Sequence, residues 1–406
     1  MGAELPDGWA VARLSDLVDK RGITYGVVQP GHPVENGTPV LRVTNFSGGR
    51  LRLHEVLRVD PSITDRYERS RLVGGEVLIT LVGSVGQVAV APPDVAGWNV
   101  ARAVGVIPVR RSDSAAWVAA CLRSPDVRAR LAARFNTTVQ TTLNLKDLGA
   151  CELAIPPVRE RDEIIRVLSA LDDKIESNRR LADAVDDVCL MAFEDAERGA
   201  VETLALEDFV AFNQLSWSAR RHPAEIDYLD ISSLQPRRVT TIQRVGWSDA
   251  PSRARRVVRS GDTIISTVRP ERRALAFVDA ASAELTASTG FAVLTPISVS
   301  PTYAYFAATS ERATNFFAGA ATGSAYPAVR VDAMKTFAIR VPADRGEQFE
   351  ELARPLLSMA RSVLAEIHTV AAIRDALLPK LVSGQIRVPL SNDVDELIGE
   401  ATEALA

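Results

Sequence analysis

Apolar positions recur with a helical period in two long stretches of the chain. In the first, Ile164, Leu168, Leu171, Ile175, Asn178, Ala182, Val185, Cys189 and Ala192 follow one another in steps of four and three, the heptad spacing of a helix with one buried stripe. In the second, Leu352, Leu356, Met359, Val363, Ile367, Val370, Ile373 and Leu377 form a less regular, one-sided pattern, closing on "IRDALLPKLVSGQI", where Ser-Gly supplies the stop. The spacing predicts helices over about residues 158–197 and 346–382. Each is about 55 Å long at roughly 1.5 Å per residue. Pro355 is expected to kink the start of the second helix or to mark where its continuous part begins. One-sided helices must bury their apolar faces, and the economical partner for each is the other, packed antiparallel. The seam then takes Ile164, Leu168, Leu171, Ile175 and Val185 from one helix and Met359, Val363, Val370 and Leu377 from the other. Asn178, polar inside the stripe, fits a register device.

Elsewhere the pattern changes to short apolar runs bounded by turn residues. "TPVLRVTNF", "GEVLITLVG" and "RAVGVIPVR" read as strands, as do "AEIDYLDISS" and "GDTIISTVR" further on. These regions repeat at one offset. Gly75-Glu76 matches Gly261-Asp262, "TLNLKDL" matches "AVRVDAM", "AIPPV" matches "RVPAD", and Trp117 falls on Tyr303, each pair 186 residues apart. Four landmarks holding one offset indicate an internal duplication. Each half orders its parts alike: a β-rich region, a short helix (residues 115–135 and 301–317), a polar turn, a last strand, and a long helix. The expected fold is α+β. Two β-rich domains at 1–157 and 199–345 are each followed by a long helix, at 158–198 and 346–390, with an acidic tail at 391–406. The two helices pack as an antiparallel coiled-coil spacer.

Composition narrows the class. A chain of 406 residues, 47% hydrophobic and 24% charged, is a globular composition with room for two or three domains. Three separated cysteines, Cys121, Cys151 and Cys189, make no disulfide framework. No apolar run reaches membrane-spanning length and "MGAELPDGWA" lacks the features of a signal peptide, so a cytoplasmic protein is expected. The net charge is −4, yet residues 220–273 hold twelve Arg and no Lys against six acids. That local surplus suits a polyanion better than the global charge does. Catalytic constellations are missing from the sequence. It has no phosphate-binding glycine loop and no H-E-x-x-H, and His32, His54, His222 and His368 are scattered without zinc-site spacing. "VGSVG" has Val82 where a nucleophile elbow needs glycine. A non-catalytic chain without a metal or cofactor of its own is expected.

The order of domains and helices resembles the specificity subunit of type I restriction-modification systems over about residues 5–390. "LPDGWAVARLSDLV" resembles that family's entry to a first target-recognition domain. Pro156-Pro157, Glu160 and Ile164 resemble its helix start, with Arg161 replacing a customary Gln, and "LLPKLVSGQI" resembles its closing helix. The resemblance implies two target-recognition domains that each read one half of a split, asymmetric sequence in double-stranded DNA. It implies two methyltransferase subunits as partners and, in a full complex, two restriction/translocase subunits. S-adenosylmethionine, ATP and magnesium would belong to those partners. The helix pair would set the separation of the half-sites, which for major-groove readers on one side of B-DNA is about 34–36 Å. Two other readings stand beside this one. A DNA-recognition subunit of another methylation-linked defence system would have the same fold and different effectors. A coiled-coil scaffold that binds proteins and no DNA is disfavoured by the Arg surplus.

Base edges are read by Arg, Asn, Gln, Ser and Thr, while phosphate contacts set position. In the first domain the candidates are Arg42, Asn45, Ser84, Gln87, Asn99, Arg102, Thr137, Thr138, Gln140 and Asn144. In the second they are Arg237, Arg238, Arg269, Arg272, Arg273, Thr322, Ser324, Tyr326 and Arg330. "TTVQTTLN" and "TGSAYPAVR" occupy matching places in the two halves, which favours them over the rest.

Overall fold

A computed structural model describes residues 5–110, 113–135, 141–235 and 237–388, apart from the side chains of Gln235 and Arg238. The architecture is mixed α+β, with two long helices, Val158–Arg198 and Glu347–Val382. The chain divides into two units, Met1–Glu176 with His368–Ala406, and Ser177–Ile367. The helices do not stand apart as segments of their own: each contributes one part to each unit.

In the first unit, strand Ala10–Arg13 pairs antiparallel with Glu152–Ile155. A four-stranded sheet runs in the order Thr24–Tyr25, Val104–Ile107, Val77–Thr80, Val88–Val90. A three-stranded sheet centres on Thr38–Leu41, antiparallel to Leu57–Val59 and parallel to Asn99–Val100. The core gathers on Trp117, fully buried, with Trp9 edge-on at 5.9 Å.

The second unit repeats this plan. Glu202–Ala205 pairs with Ala338–Val341, and the four-stranded sheet runs Val210–Phe212, Phe291–Pro296, Asp262–Ser266, Leu275–Val278. In the other sheet, Glu225–Leu229 lies parallel to Leu285–Ser288. Its core is aromatic, with Tyr303, Phe306, Phe193 and Phe349 in contact.

Hydrogen bonds carry the 186-residue repeat. Trp117 Nε1 donates to the Ala154 carbonyl at 2.9 Å, and Tyr303 Oη donates to the Arg340 carbonyl at 2.6 Å. The buried carboxylate of Glu76 accepts from the Val73 amide at 2.9 Å, and that of Asp262 from the Arg259 amide at 2.7 Å. Burial raises Asp262 above the usual carboxylate range, offset by that amide and by the Thr295 hydroxyl. A different side chain making the same bond at the same place is what an old duplication leaves when geometry, not identity, is required.

Each short helix is in fact two: Ala115–Arg123 then Pro125–Ala132, and Pro301–Thr309 then Glu311–Gly319. Ser124 and Ser310, both extended (ψ 140° and 158°), break them. Ser124 precedes a proline, which disfavours helical backbone there. The Ser310 hydroxyl accepts from the Ala313 amide and caps the next helix.

The first long helix buries Ile164, Leu168, Ile175, Asn178, Ala182, Val185 and Cys189, the heptad stripe, with Leu171 half-buried. In the second, Val363, Val370 and Leu377 are half-buried, but Met359 is 39% exposed and Ala360 takes the buried place in that turn. Met359 is therefore corrected out of the seam. Nor does Pro355 break this helix. Pairing is antiparallel within each unit. Asp172 accepts from Arg374, and Glu160 from Arg387, in the first. In the second, Phe193 meets Phe349, while Asn178 Nδ2 donates to Glu366 Oε2 at 2.9 Å and lies 3.4 Å from the Val363 carbonyl. A buried amide tied to one turn of the opposite helix fixes register. By length and composition Glu347–Val382 is long and apolar enough to cross a membrane, which corrects the expectation that no stretch reaches that limit.

Candidate nucleic-acid interface

In the second unit, strand Asp262–Ser266 runs into a loop where Arg269 and Arg273 both hold left-handed backbone, at φ 49° and 53°. They flank a single 3-10 turn, Pro270–Arg272. An L side chain in that region costs roughly 1–2 kcal/mol, so the surroundings must impose it. Beside it, Thr322 and Ala328 exchange backbone hydrogen bonds of 3.0 and 2.9 Å and close a loop that turns at Gly323, φ 107°. The two segments are joined by the Val329 amide on the Thr267 carbonyl, 2.9 Å, and the Arg269 amide on the Pro327 carbonyl, 2.8 Å. Arg269 Nη2 donates to the Ala325 carbonyl at 2.8 Å, and the guanidinium lies 4.8 Å from the centre of the Tyr326 ring. Tyr326 is 73% exposed. Thr322 and Ser324 are exposed on the same loop, and Arg272 and Arg330 are exposed beside the two segments.

Other candidates in this unit turn inward. Arg237 is half-buried with its guanidinium 5.4 Å from the centre of the Phe306 ring. Arg273 is half-buried and donates to the Thr309 carbonyl at 3.2 Å. The Arg238 side chain lies outside the described residues. Some of the local positive surplus is also neutralised in place. Arg244 binds Asp227 at 2.9 Å and Glu225 at 3.2 Å, and Arg253 lies 3.6 Å from Asp230. The Ser282 hydroxyl, then Arg244, hold Asp227 below the usual carboxylate range.

The first unit builds the same place differently. After Val77–Thr80 the chain turns on Gly83 and Gly86, at φ 78° and 86°, and the Thr80 hydroxyl donates to the Ser84 carbonyl and accepts from the Gln87 amide. Val82 bridges Thr142, as Val268 bridges Ala328. Ser84, Arg42 and Arg102 are exposed and Gln87 half-buried. Thr137, Thr138 and Gln140 lie outside the described residues, as does the tail 391–406.

Two buried asparagines leave the list of readers, and a third is engaged at the surface. Asn45 is buried, accepting from the Arg42 amide at 2.9 Å and donating to the Arg52 carbonyl at 3.1 Å. Asn99 is fully buried between the Ser70 hydroxyl, 2.8 Å, and the Tyr67 carbonyl, 3.1 Å. Asn144 caps helix Leu145–Gly149 through the Asp147 amide, 2.8 Å, and stays exposed. The donor–acceptor pair that suits Asn to adenine suits it equally to turns and caps. The sequence reading also passed over an aromatic stack: His222 lies flat on Trp247 at 4.3 Å, and the Arg255 guanidinium is 4.6 Å from the Trp247 ring centre. A tryptophan inside an Arg-rich run was its signal. Among the described residues no group of three or more His, Cys, Asp or Glu could hold a metal.

Two copies of a β-rich scaffold, each presenting exposed polar loops at one equivalent edge, define a duplicated α+β fold. Residues 6–186 match the family described as type I restriction modification DNA specificity domain. Over 177 residues, 42% of this chain, the sequence is 30% identical to the type I restriction enzyme EcoBI specificity subunit of Escherichia coli. The chain spans 37% of that relative's length. Among solved structures, the type I restriction-modification S subunit from M. genitalium aligns over 94% of this chain and 98% of its own, with a TM-score of 0.55 and 13% identity. The HsdS subunit from Thermoanaerobacter tengcongensis aligns over 95% and 99%, with a TM-score of 0.38 and 16% identity. Residues 6–186 thus match the type I DNA specificity domain family, and the chain as a whole shares the fold of the M. genitalium S subunit.

Proposed function

We propose that this chain reads an asymmetric, bipartite sequence in double-stranded DNA, one half through residues 1–157 and the other through 199–345, and presents that DNA to methyltransferase subunits docked on it. The observation that carries this reading is the repeat itself. One set of scaffold hydrogen bonds recurs in both units, while the exposed loops at the equivalent edge differ in nearly every side chain. Conserved scaffold with divergent tips is what two readers of different sequences require, because phosphate contacts position a domain and side chains at base edges choose the sequence. The chain itself supplies recognition. Methyl transfer from S-adenosylmethionine, and ATP- and magnesium-dependent translocation and cleavage, fall to two methyltransferase and two restriction subunits, in a cytoplasmic complex. A methylome of cells co-expressing the chain with its methyltransferase partner tests this. Methyl-adenine at one split, asymmetric motif, lost when this chain is omitted, is the expected result. A stable complex that marks no motif would overturn the proposal.

A further inference from the structure

We propose that Arg269 and Tyr326 form a preassembled reader of a single guanine in the half-site of the second domain; this rests on the function proposed above. Three observations converge on the pair. First, Arg269 occupies a backbone position that the first repeat gives to Gly83. Glycine enters left-handed backbone freely and arginine does not, so the second repeat keeps a side chain where the backbone alone would favour none. Second, that side chain is held in two ways: Nη2 donates to the Ala325 carbonyl at 2.8 Å, and the guanidinium carbon lies over the Tyr326 ring, 4.8 Å from its centre. Third, the platform beneath it is braced and faces outward. Tyr326 is 73% exposed at the tip of a loop locked by the paired Thr322–Ala328 bonds and by Gly323.

A surface arginine held only by charge would sweep many rotamers and meet phosphates. One that already rests over an aromatic ring and whose hydrogen bond is made in advance loses little freedom on docking, the condition for reading an edge. Its five N–H donors form a fork. Among the described residues the Arg269 side chain donates to one acceptor, so the fork retains the pair of donors that matches guanine O6 and N7. The exposed Tyr326 face is then placed to pack on the neighbouring base, as aromatic platforms do. The first repeat has glycine at this position and reads by other means.

The test uses the complete complex with its methyltransferase subunits, the motif found by methylome mapping, and duplexes carrying every single substitution of that motif. Arg269→Gly keeps the left-handed turn unstrained, and Arg269→Lys keeps the charge but not the fork. Both are expected to cut discrimination at one G·C pair of one half by about tenfold or more, with the other half unchanged as an internal control of folding. Tyr326→Ala is expected to weaken the same position, and Tyr326→Phe to preserve it. Arg330→Ala, by contrast, is expected to lower affinity for all sequences alike and to flatten the salt dependence. If both Arg269 variants leave every base preference intact, or weaken all duplexes equally, the reader assignment is wrong while the proposed function stands. If the wild-type complex prefers no sequence at all, both fall together.

Discussion

At the end of its central strand the first unit turns on Gly83, at φ 78°, and the second turns on Arg269, at φ 49°. The strands feeding these turns align at the 186-residue offset, Val77–Thr80 on Thr263–Ser266, and each turn is clamped to a partner segment by a backbone bond of 2.9 Å, Leu143 to Leu81 and Val329 to Thr267. The frame is thus common and the tip is not. Duplication copies the frame because the hydrogen bonds that close it tolerate few geometries; the tip faces solvent and is free to diverge toward a different ligand.

The largest effects should come from breaking the frame. Trp117 and Tyr303 are the two versions of one strut, each fully buried and each bonded to the carbonyl of its unit's last strand. Trp117→Ala is expected to destabilise the first unit by about 3–5 kcal/mol. Tyr303→Phe keeps the ring, leaves the Arg340 carbonyl without its donor, and should cost about 1 kcal/mol. Denaturant unfolding followed separately in each unit checks both values. Equal costs would mean that the bond, and not the volume, holds the frame.

Next in size are the charged latches between each β-rich domain and its helices. Asp172 of the first long helix receives Arg123 at 3.3 Å and Arg374 at 2.9 Å. In the second unit Asp279 receives Arg361 at 3.0 Å and Arg354 at 3.5 Å, both from the second long helix. The arginines on Asp172 are 24–29% exposed and those on Asp279 about half exposed. Exposure decides how much water and salt screen a pair. Asp172→Ala should therefore cost about 1–2 kcal/mol and persist in high salt, whereas Asp279→Ala should cost under about 1 kcal/mol and fade with salt. Melting both variants at low and high ionic strength distinguishes them; the same salt response in both would remove burial as the explanation.

How much of this was legible in the sequence depends on whether the controlling interaction is local. The stripe from Ile164 to Cys189 was readable because a single period governs it, and the buried set follows it closely. The second helix misled because Ala353 and Ala360, both buried, carry too little apolar area to register beside Leu352 and Met359, which are exposed. The paired short helices were readable at Ser124-Pro125, a local breaker, but less so at Ser310, where the capping hydroxyl alone makes the break. At the candidate interface, residue type put forward Arg269 and Tyr326 and equally Asn45 and Asn99. Only the fold reveals that the asparagines are spent on Arg52 and Tyr67 carbonyls. The strain at Arg269 was invisible, since left-handed backbone is signalled by Gly or Asn and here the letter is Arg.

The smallest net effect is expected at Arg269, and it sharpens the comparison most. A Cβ added at Gly83 meets nothing within 4 Å, so Gly83→Ala probes backbone conformation alone and should cost about 1 kcal/mol. Arg269→Gly runs the opposite exchange. It relieves a left-handed arginine, a gain of roughly 1 kcal/mol, and loses a cation–π contact at an exposed site worth about 0.5–1 kcal/mol. The stability of Arg269→Gly should thus lie within about 1 kcal/mol of the parent, even as the proposed discrimination at one G·C pair falls. Thermal or denaturant unfolding of the two variants side by side reads the asymmetry directly. A loss of several kcal/mol on Arg269→Gly would make the arginine a structural post whose stacking on Tyr326 holds the loop; the side chain would then have been kept for folding, not for DNA.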